Sequence, residues 1–320
     1  MADIPVPPPE DIDAFRRALL DWWDGNARDL PWRQTRDPYR ILVSEVMLQQ
    51  TQVDRVIPYY HRWLEAFPDV HALAAAPTAE VIRLWKGLGY NRRAVNVQRA
   101  AQAVVDRGGT FPDTVEELRA LPGIGPYTAG AIACFAFERD VPFIDTNMRR
   151  VLHRVFVGSE VPERRASDRE IVEIAAAALP LDDGWRWNQA LIEFGALQCT
   201  ARTPACVICP AQAFCNARPT IQSDIQAALT GRKGKAKGIP FEQTNRYFRG
   251  RIMDALREHE GEAMPLETLG GIVKADFRPE DLPWLTELVI ALEKDGLTAV
   301  AESGPDYDAS GPKTLRVGLP

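Results

Sequence analysis

The sequence predicts a mainly α-helical protein that ends in a small α+β domain. From Asp11 to Ile225, apolar residues recur three and four positions apart, which is the period of an amphipathic helix. No segment in that range shows the sustained period-two alternation that indicates a strand. Beyond it, a Gly- and Lys-rich stretch interrupts the pattern, and shorter helical and strand-like segments follow. We therefore expect a helical domain, a linker and a second, smaller domain.

The first domain, residues 1–225, is predicted to consist of helical segments. Pro and Gly residues separate these segments at FPDV, KGLGY, RGGTFPD, LPGIGP and DVPF. Residues 226–244 contain TGRKGKAKGIP, which is typical of a basic flexible linker. Residues 245–320 begin with the helical RYFRGRIMDALREH and the short MPLETLGGIV. They continue with the helical PEDLPWLTELVIALEKDG and two possible strands, LTAVAES and TLRVGL. Three helices and a hairpin suggest a winged-helix-like domain.

The bulk composition is that of a globular protein. The 320 residues are 46% hydrophobic and 26% charged, with a net charge of −6, so any nucleic-acid surface must be a local basic patch. The first residues, MADIPVPPPEDID, lack the apolar core of a signal peptide. No stretch approaches the ~20 apolar residues of a membrane span. We expect a cytoplasmic, nucleoid-associated protein with no membrane partner.

Four of the five cysteines fall in one short segment, at Cys199, Cys206, Cys209 and Cys215. Four thiolates so close in sequence can surround one tetrahedral centre, which suits zinc or an iron–sulfur cluster. The single C-x2-C pair and the short span favour a [4Fe–4S] cluster over zinc, and disulfides are least favoured in reducing cytoplasm. The cluster is expected to clip a loop and present basic residues such as Arg202, rather than to act in redox chemistry.

The segment LPGIGPYTAGAI, residues 121–132, places Gly123 and Gly125 in a tight turn between two helices. Glycine allows positive φ and close approach of another backbone. The amides of such a turn can hold a phosphate at a helix N-terminus. Pro122 and the glycine spacing favour a DNA-binding helix–hairpin–helix over an ordinary helix corner. Downstream, Asp145 is placed to cap the helix that follows it.

The hairpin, the aspartate and the cysteine set together resemble the HhH-GPD superfamily of DNA base-excision glycosylases. A closer resemblance, to adenine DNA glycosylases of the MutY type, covers roughly residues 12–218. It is carried by LPWRQTRDPYRILVSEVMLQQTQVDRVIPYY, WKGLGY, LPGIGPYTAGAI, DTNMRRVL and NQALIEFGALQC. The resemblance implies a six-helix barrel against a cluster-bearing lobe, with a DNA groove between them. The implied partner is double-stranded DNA that contains a mispair or lesion.

Two acidic residues are candidates for the chemistry. A glycosylase must flip a base out of the duplex and break its C1′–N bond, and adenine leaves poorly unless it is protonated. Glu45 lies among apolar residues of its helix, so we expect a raised pKa and a general acid. The resemblance implies that this glutamate protonates the purine. Asp145 is the candidate to stabilise the oxocarbenium-like sugar, and its helix N-terminus favours the ionised form. By resemblance, Tyr127 and Asn147 assist.

The distribution of lysine bears on the reaction type. Lys86 is the only lysine before residue 233, and the hairpin position that carries the Schiff-base lysine in bifunctional relatives is here Tyr127. We therefore expect a monofunctional glycosylase that leaves an abasic site. The resemblance further assigns insertion into the duplex to Gln50, Thr51, Leu88 and Tyr90. It assigns the adenine pocket, with a stacking face from the tryptophan, to Arg28, Trp32, Arg33 and Leu48.

The tail, residues 226–320, does not resemble the Nudix-like domain that usually follows in these glycosylases and helps to read 8-oxoguanine. Its last predicted helix carries Glu280, Asp281, Glu287, Glu293 and Asp295, which is a poor surface for a DNA groove. Packing on the catalytic domain or contact with a protein partner is as well supported as DNA binding. The linker lysines Lys233, Lys235 and Lys237 could contact phosphate. We expect the protein to be a monomer.

The expected function is therefore removal of adenine opposite 8-oxoguanine or guanine in base excision repair. One alternative is a thymine or uracil mismatch glycosylase, which shares the cysteine set and the LPWR start. Glu45 and the QQTQ run favour adenine, because pyrimidine removal does not need a purine-protonating acid. The other alternative is a non-catalytic DNA-structure binder, against which the Glu45 and Asp145 pair argues.

Overall fold

The computed structural model describes residues 4–231, 239–259, 261, 263–303 and 314–320, which contain fifteen α-helices and three strands. The chain divides into two units. The first is drawn from residues 1–42, 112–120 and 124–235, and the second from residues 43–111, 121–123 and 236–320. Every regular element in residues 4–231 is helical, as the sequence predicts.

The helices before residue 232 are α1 (Pro9–Asn26), α2 (Pro38–Leu48), α3 (Val53–Ala66), α4 (Val70–Ala75), α5 (Thr78–Leu84), α6 (Arg92–Asp106), α7 (Val115–Arg119), α8 (Pro126–Phe137), α9 (Thr146–Leu152), α10 (Asp168–Ala178), α11 (Gly184–Leu197) and α12 (Ile221–Thr230). Short 3-10 turns lie at Pro31–Arg33 and Cys206–Ile208, and a π-helical turn at His153–Val157. The later elements are α13 (Asn245–Glu258), β1 (Met264–Pro265), α14 (Leu266–Val273), α15 (Leu282–Lys294), β2 (Ala299–Ser303) and β3 (Thr314–Gly318), with 3-10 turns at Phe241–Gln243 and Pro279–Asp281.

Helix α1 shows how apolar spacing builds the core of the first unit. Its buried residues lie three or four positions apart and therefore share one face of the helix: Ile12, Phe15, Leu19 and Trp23. The fully buried ring of Phe15 meets four other rings edge-on, with centroid distances from 5.5 to 6.4 Å: Phe156, Trp187, Phe194 and Phe214. The aromatic cluster joins α1 to α11 and to the segments before and after it.

Side-chain caps determine where several helices begin. Ser167 and Glu170 form a reciprocal capping box at the start of α10, and Thr114 accepts a hydrogen bond from the backbone of Glu117 at the start of α7. Asp145 caps α9 in the same way. These three starts follow from residues within one turn of the helix, which is why a sequence pattern can predict them.

The C-terminal region of the second unit has the element order of a winged helix, which confirms the predicted architecture. One helix, one short strand, two helices and two strands follow each other, and the antiparallel sheet has the order β1–β3–β2. Met264 pairs with Val317, and Val317 pairs with Val300 on its other side. The sequence prediction contained the two long strands and missed β1, because two residues are too few to show alternation.

This winged-helix-like region packs against α5 and α6 within the second unit. Ile82 of α5 and Val95 of α6 belong to the same buried apolar cluster as Ile252 and Leu256 of α13 and Leu292 of α15. Packing on the helical domain, one of the predicted roles of the tail, is therefore confirmed.

The predicted domain boundaries differ from the structure in two ways. Helix α12 continues through Thr230, five residues into the predicted linker, and a 3-10 turn occupies Phe241–Gln243. Residues 43–111 of the predicted catalytic domain share a unit with the winged-helix-like region. The linker lysines at 233, 235 and 237 lie outside the described residues. In the part of the chain that the structure describes, no helix has the length and apolar character needed to cross a membrane.

Candidate active site

Asp145 is held at the N-terminus of α9 by two hydrogen bonds. Its Oδ1 accepts from the backbone N–H of Met148 at 2.6 Å, and its Oδ2 accepts from the side-chain amide of Asn147 at 3.0 Å. Burial raises the pKa of the Asp145 carboxyl, whereas these hydrogen bonds and the charge of Arg150 lower it. The effect of burial is larger, so the pKa lies above its ordinary value. The helix N-terminus thus favours the carboxylate, as predicted, but it does not outweigh burial.

Asn147 is itself fixed from two sides. Its Oδ1 accepts a hydrogen bond from Arg150 Nη2 at 2.8 Å, and the same guanidinium donates to the backbone carbonyls of Gly195 and Cys199 at 2.6 and 2.8 Å. Gly195 is required for this approach, because a Cβ there would lie 2.7 Å from the Cβ of Asn147. The sequence predicted Asp145 and Asn147 but not Arg150, which orients the amide.

Tyr127 lies in the first turn of α8 and is half-buried. Its ring meets the ring of Phe143 edge-on, with 5.7 Å between the ring centroids. Phe143 lies two residues before Asp145 in the chain. Gly130, one turn further along α8, allows the same phenylalanine to approach the helix, because a Cβ there would lie 2.6 Å from the Cβ of Phe143. The start of α8 and the segment that leads into Asp145 are therefore packed together.

The predicted pocket residues of the first unit surround a carboxylate that the sequence analysis missed. Arg28 binds Glu193 through two hydrogen bonds of 2.6 and 2.7 Å, and Arg33 adds one of 3.1 Å. Burial alone would raise the pKa of Glu193, but the hydrogen bonds and charges of the two arginines outweigh it and hold this pKa below its usual range. Trp32 is only 6% exposed, so the predicted stacking face is buried.

Glu45 lies in the last two turns of α2, in the part of the helix that belongs to the second unit. It is 6% exposed, and its neighbours Ser44, Val46 and Met47 are buried as well. The prediction that Glu45 does not face solvent is confirmed. Leu48, predicted to line the base pocket, is half-buried at the C-terminus of the same helix.

The predicted insertion residues lie on two tight turns of the second unit. Gln50 has a φ of +56° just after α2, and Tyr90 has a φ of +46° just before α6. Gln50 and Tyr90 are exposed, Tyr90 by 52%, and Thr51 is half-buried. Leu88 is buried at 6% exposure, so the structure packs it inside rather than presenting it to a duplex.

Arg93 fastens the two turns to each other, and the sequence analysis missed it. Its guanidinium donates to the carbonyls of Val46 and Gln49 at 2.6 and 2.7 Å, and to those of Leu88 and Gly89 at 3.1 and 3.2 Å. A lone arginine on an amphipathic helix gives no sign of such a role. The distance in sequence, more than forty residues to Val46, hides the pairing.

The two hairpin glycines have different structural roles. Gly123 has a φ of +75°, and a Cβ there would lie 2.6 Å from the Cβ of Asn96, so both conformation and space require glycine. Gly125 has a φ of −88° and an open surrounding, and it precedes Pro126 at the start of α8. The predicted tight turn is confirmed, and its use as a phosphate site stays a prediction.

The four clustered cysteines are free and half-buried. Burial raises the pKa of the Cys199 and Cys215 thiols, and that of Cys209 to about 11, and the charges of the other cysteines of the set add to each rise. As these side chains stand, no group of three or more His, Cys, Asp or Glu in the described residues is arranged to hold a metal ion.

Arginine side chains border the cysteine segment. Arg154 Nη1 donates to Cys199 Sγ at 3.6 Å and to the carbonyl of Thr200 at 2.7 Å, and its backbone carbonyl accepts from Cys215 Sγ at 3.3 Å. No acidic residue occurs between Glu193 and Asp224. Four thiols with positive charge beside them form a donor set that suits an anionic metal–sulfur centre.

Comparison with known proteins places this geometry in context. Residues 43–176 match the family described as the HhH-GPD superfamily of base excision DNA repair proteins. An adenine DNA glycosylase of Mycolicibacterium smegmatis is 41% identical over 242 residues, which cover 75% of this chain and 79% of the relative. An adenine DNA glycosylase of Mus musculus is 42% identical over 232 residues, which cover 69% of this chain and 45% of the relative.

The chain thus spans less than half the length of the mouse protein and most of the mycobacterial one. Among solved structures, a thermostable thymine-DNA glycosylase is similar with a TM-score of 0.61 and 30% identity. The alignment covers 66% of this chain and 98% of that structure. The sequence identity to the adenine enzymes is higher.

Proposed function

The chain belongs to the adenine DNA glycosylases of the HhH-GPD superfamily, and on this basis we propose that it hydrolyses the N-glycosidic bond of adenine mispaired with 8-oxoguanine or guanine. It is a DNA glycosylase of base excision repair, with DNA as its partner and adenine as the base it removes. The choice of mispair, the monofunctional reaction and the iron–sulfur cluster are the further parts of the proposal.

The burial of Glu45 carries the proposed chemistry. Glu45 is 6% exposed, so the carboxyl group is shielded from bulk water, and in the proposed mechanism it carries a proton when the base is bound. Glu45 donates this proton to a ring nitrogen of adenine, which makes the base a better leaving group. A pyrimidine does not need this acid, which favours adenine over thymine or uracil, in agreement with the lower identity to the thymine-DNA glycosylase.

Asp145 stabilises the sugar from which the base departs. As the C1′–N bond breaks, its electron pair goes to the protonated adenine, and positive charge develops on the sugar. The Asp145 carboxylate, oriented by Met148 and Asn147, supplies the compensating negative charge. Water adds to C1′ and releases a proton, which leaves an abasic site. Tyr127, packed on the segment before Asp145, assists in this position.

The two exposed turns provide side chains for the gap that base flipping leaves. Gln50 and Tyr90 project from these turns, and insertion of such groups stabilises an opened duplex. Arg93 keeps the two turns in a fixed relation through its five carbonyl acceptors. Leu88 is buried and stabilises the turn that carries Tyr90 by packing.

Lysine chemistry supports a monofunctional reaction. Lys86 pairs with Glu258 at 2.9 Å, and a charged, ion-paired ammonium group is a poor nucleophile. Tyr127 occupies the hairpin position of a Schiff-base lysine. Borohydride reduction in the presence of substrate DNA should therefore trap no covalent adduct, and an efficient adduct would refute the monofunctional assignment.

Cys199, Cys206, Cys209 and Cys215 are the proposed ligands of a [4Fe–4S] cluster. When bound, the cluster would supply a rigid clip for residues 199–215. Arg154 would stabilise the Cys199 thiolate, and Arg150 connects the same segment to Asn147. A brown purified protein that contains iron and sulfide would support the assignment, and a colourless protein with stoichiometric zinc would overturn it.

One assay tests the substrate assignment directly. Purified protein is incubated with duplexes that hold A opposite 8-oxoguanine, A opposite G, T opposite G, or U opposite G, and abasic sites are then cleaved with alkali. We expect cleavage at the two adenine-containing strands only. Cleavage confined to the T- or U-containing strand would refute the proposal.

A further inference from the structure

The geometry points to a DNA-binding role for the winged-helix-like region. We propose that a cleft within the second unit, between helix α13 and the turn at residues 87–90, binds the sugar–phosphate backbone of the DNA substrate. The proposal rests on the function proposed above. The cleft has a volume of about 1160 Å³. Its walls come from residues around Gln50, the turn at residues 87–90, the start of α6, α13 and the end of α15.

The walls of the cleft carry a clear excess of positive charge. Two acidic residues line it, together with six arginines: Arg55, Arg92, Arg93, Arg246, Arg249 and Arg251. The acidic residues are already occupied, because Asp295 binds two of these arginines and Asp254 binds Arg257. The remaining cationic groups thus have no carboxylate to neutralise them inside the cleft, and an anionic ligand would do so.

Three of the arginines are exposed and form no ion pair within the described residues: Arg55, Arg246 and Arg251. Arg246 donates to the hydroxyl of Tyr90 at 3.2 Å, and Arg251 donates to the carbonyl of Ile272 and the hydroxyl of Tyr247. A guanidinium has five N–H donors, so each has several left for a ligand. Phosphate is the acceptor that matches this fork best, and duplex DNA presents it at regular intervals.

Aromatic rings alternate with the arginines along the cleft. Tyr90 is 52% exposed and Phe241 is 56% exposed, and the ring of Tyr247 meets Phe241 edge-on at 5.7 Å. Exposed rings between arginines are typical of sites that follow a nucleic-acid strand without reading its sequence. Arginine and aromatic residues also occur at protein–protein interfaces. Six arginines against two carboxylates that are already ion-paired nevertheless fit a polyanionic strand better than a protein partner.

The position of α13 is fixed relative to the turn that carries Tyr90. Arg257 of α13 donates to the side chain of Asn91 at 2.7 Å, and Glu258 pairs with Lys86. The buried cluster that contains Ile82 and Ile252 joins the same two segments from below. The cationic face of α13 is therefore held beside an insertion residue, whereas the acidic α15 supplies mainly packing.

Full-length protein and a fluorescent duplex with A opposite 8-oxoguanine test the proposal. The Arg246→Gln/Arg251→Gln variant is compared with a matched control, Arg278→Gln/Lys294→Gln, which removes two exposed charges outside the cleft. We expect the cleft variant to raise Kd about 10-fold and to reduce the slope of log Kd against log salt by about one to two. The single-turnover excision rate at saturating enzyme should stay within about twofold of wild type, and the control should bind as wild type does.

The outcomes separate this proposal from the proposed function. An unchanged Kd and salt slope in the cleft variant, or an equal loss in the control, would overturn DNA binding by the cleft and leave a protein partner as the alternative. The single variant Arg246→Gln, which removes the bond to Tyr90, is expected to show about one half of the effect on Kd and on the salt slope. It tests the proposal if the double variant folds poorly. Failure of the wild-type protein to excise adenine would refute the proposed function instead, whatever the cleft binds.

Discussion

Replacing Asn147 by alanine should move the acidic limb of the excision pH profile toward neutral pH. In the proposed mechanism, Asp145 must be ionised to stabilise the sugar cation, so its protonation is expected to produce the acidic limb of the profile. Glu45 must be protonated to act as an acid, so its titration produces the alkaline limb. The amide of Asn147 donates to Asp145 Oδ2 at 3.0 Å and lowers the pKa of this buried carboxyl. Its removal leaves the effect of burial less opposed, and the pKa of Asp145 rises.

The size of the change follows from one lost hydrogen bond to a charged acceptor. Such a bond contributes about 1.5 kcal/mol at the lower end of its usual range, which suits a half-buried group. Because one pKa unit corresponds to about 1.4 kcal/mol, the acidic limb should move upward by about one pH unit. The Met148 amide remains bonded to Oδ1, and Arg150 keeps its bonds to Gly195 and Cys199, so the other interactions of the carboxyl stay in place.

Single-turnover excision of adenine opposite 8-oxoguanine, measured across the acidic and neutral range, reports both limbs. The matched control is Asn26→Ala, which removes an exposed amide that donates to the carbonyl of Trp22. We expect the alkaline limb of both variants to coincide with that of wild type. An acidic limb of Asn147→Ala that stays in place or moves downward would refute the assigned role of the Asn147 amide.

Three further predictions concern single residues. Glu45→Gln should bind DNA within about threefold of wild type in an anisotropy assay but excise adenine at least about 100-fold more slowly; undiminished excision would remove Glu45 from the mechanism. Arg93→Met should lower the free energy of unfolding by about 1–3 kcal/mol in denaturant titrations, because five carbonyls lose a charged donor, and a wild-type value would show that these bonds contribute no net stability. Gly195→Ala should slow single-turnover excision about 10- to 100-fold, because its Cβ would displace Asn147. Gly271→Ala, whose Cβ meets nothing within 4 Å, should not, and an equal rate in both variants would contradict the requirement for glycine.

Features that depend on a few neighbouring residues could be predicted from the sequence. Asp145 caps α9 because its side chain reaches only three residues ahead. Glu45 is buried because the apolar residues beside it direct its whole stretch of α2 inward. The order of elements in the winged-helix-like region follows in the same way from the local alternation of helical and strand patterns.

Pairings between distant segments could not be predicted. Glu193 binds Arg28 across 165 positions, and Arg93 reaches back to the end of α2. A charged residue has the same local pattern whether it pairs with another element or faces solvent. For the same reason, Trp32 and Leu88 were assigned to binding surfaces although the structure buries both. Their apolar side chains suit a core as well as a ligand.

Residues 226–320 show most clearly which features the sequence predicts and which depend on the tertiary structure. Their composition by itself determined a small domain unlike a Nudix-like one, with an acidic last helix that is unsuited to DNA. Only the tertiary structure decided that the basic helix α13 supplies the arginines of the cleft beside Tyr90, whereas only the end of the acidic α15 reaches it. Periodicity establishes which face of a helix is buried, but the neighbour of the other face depends on contacts far along the chain.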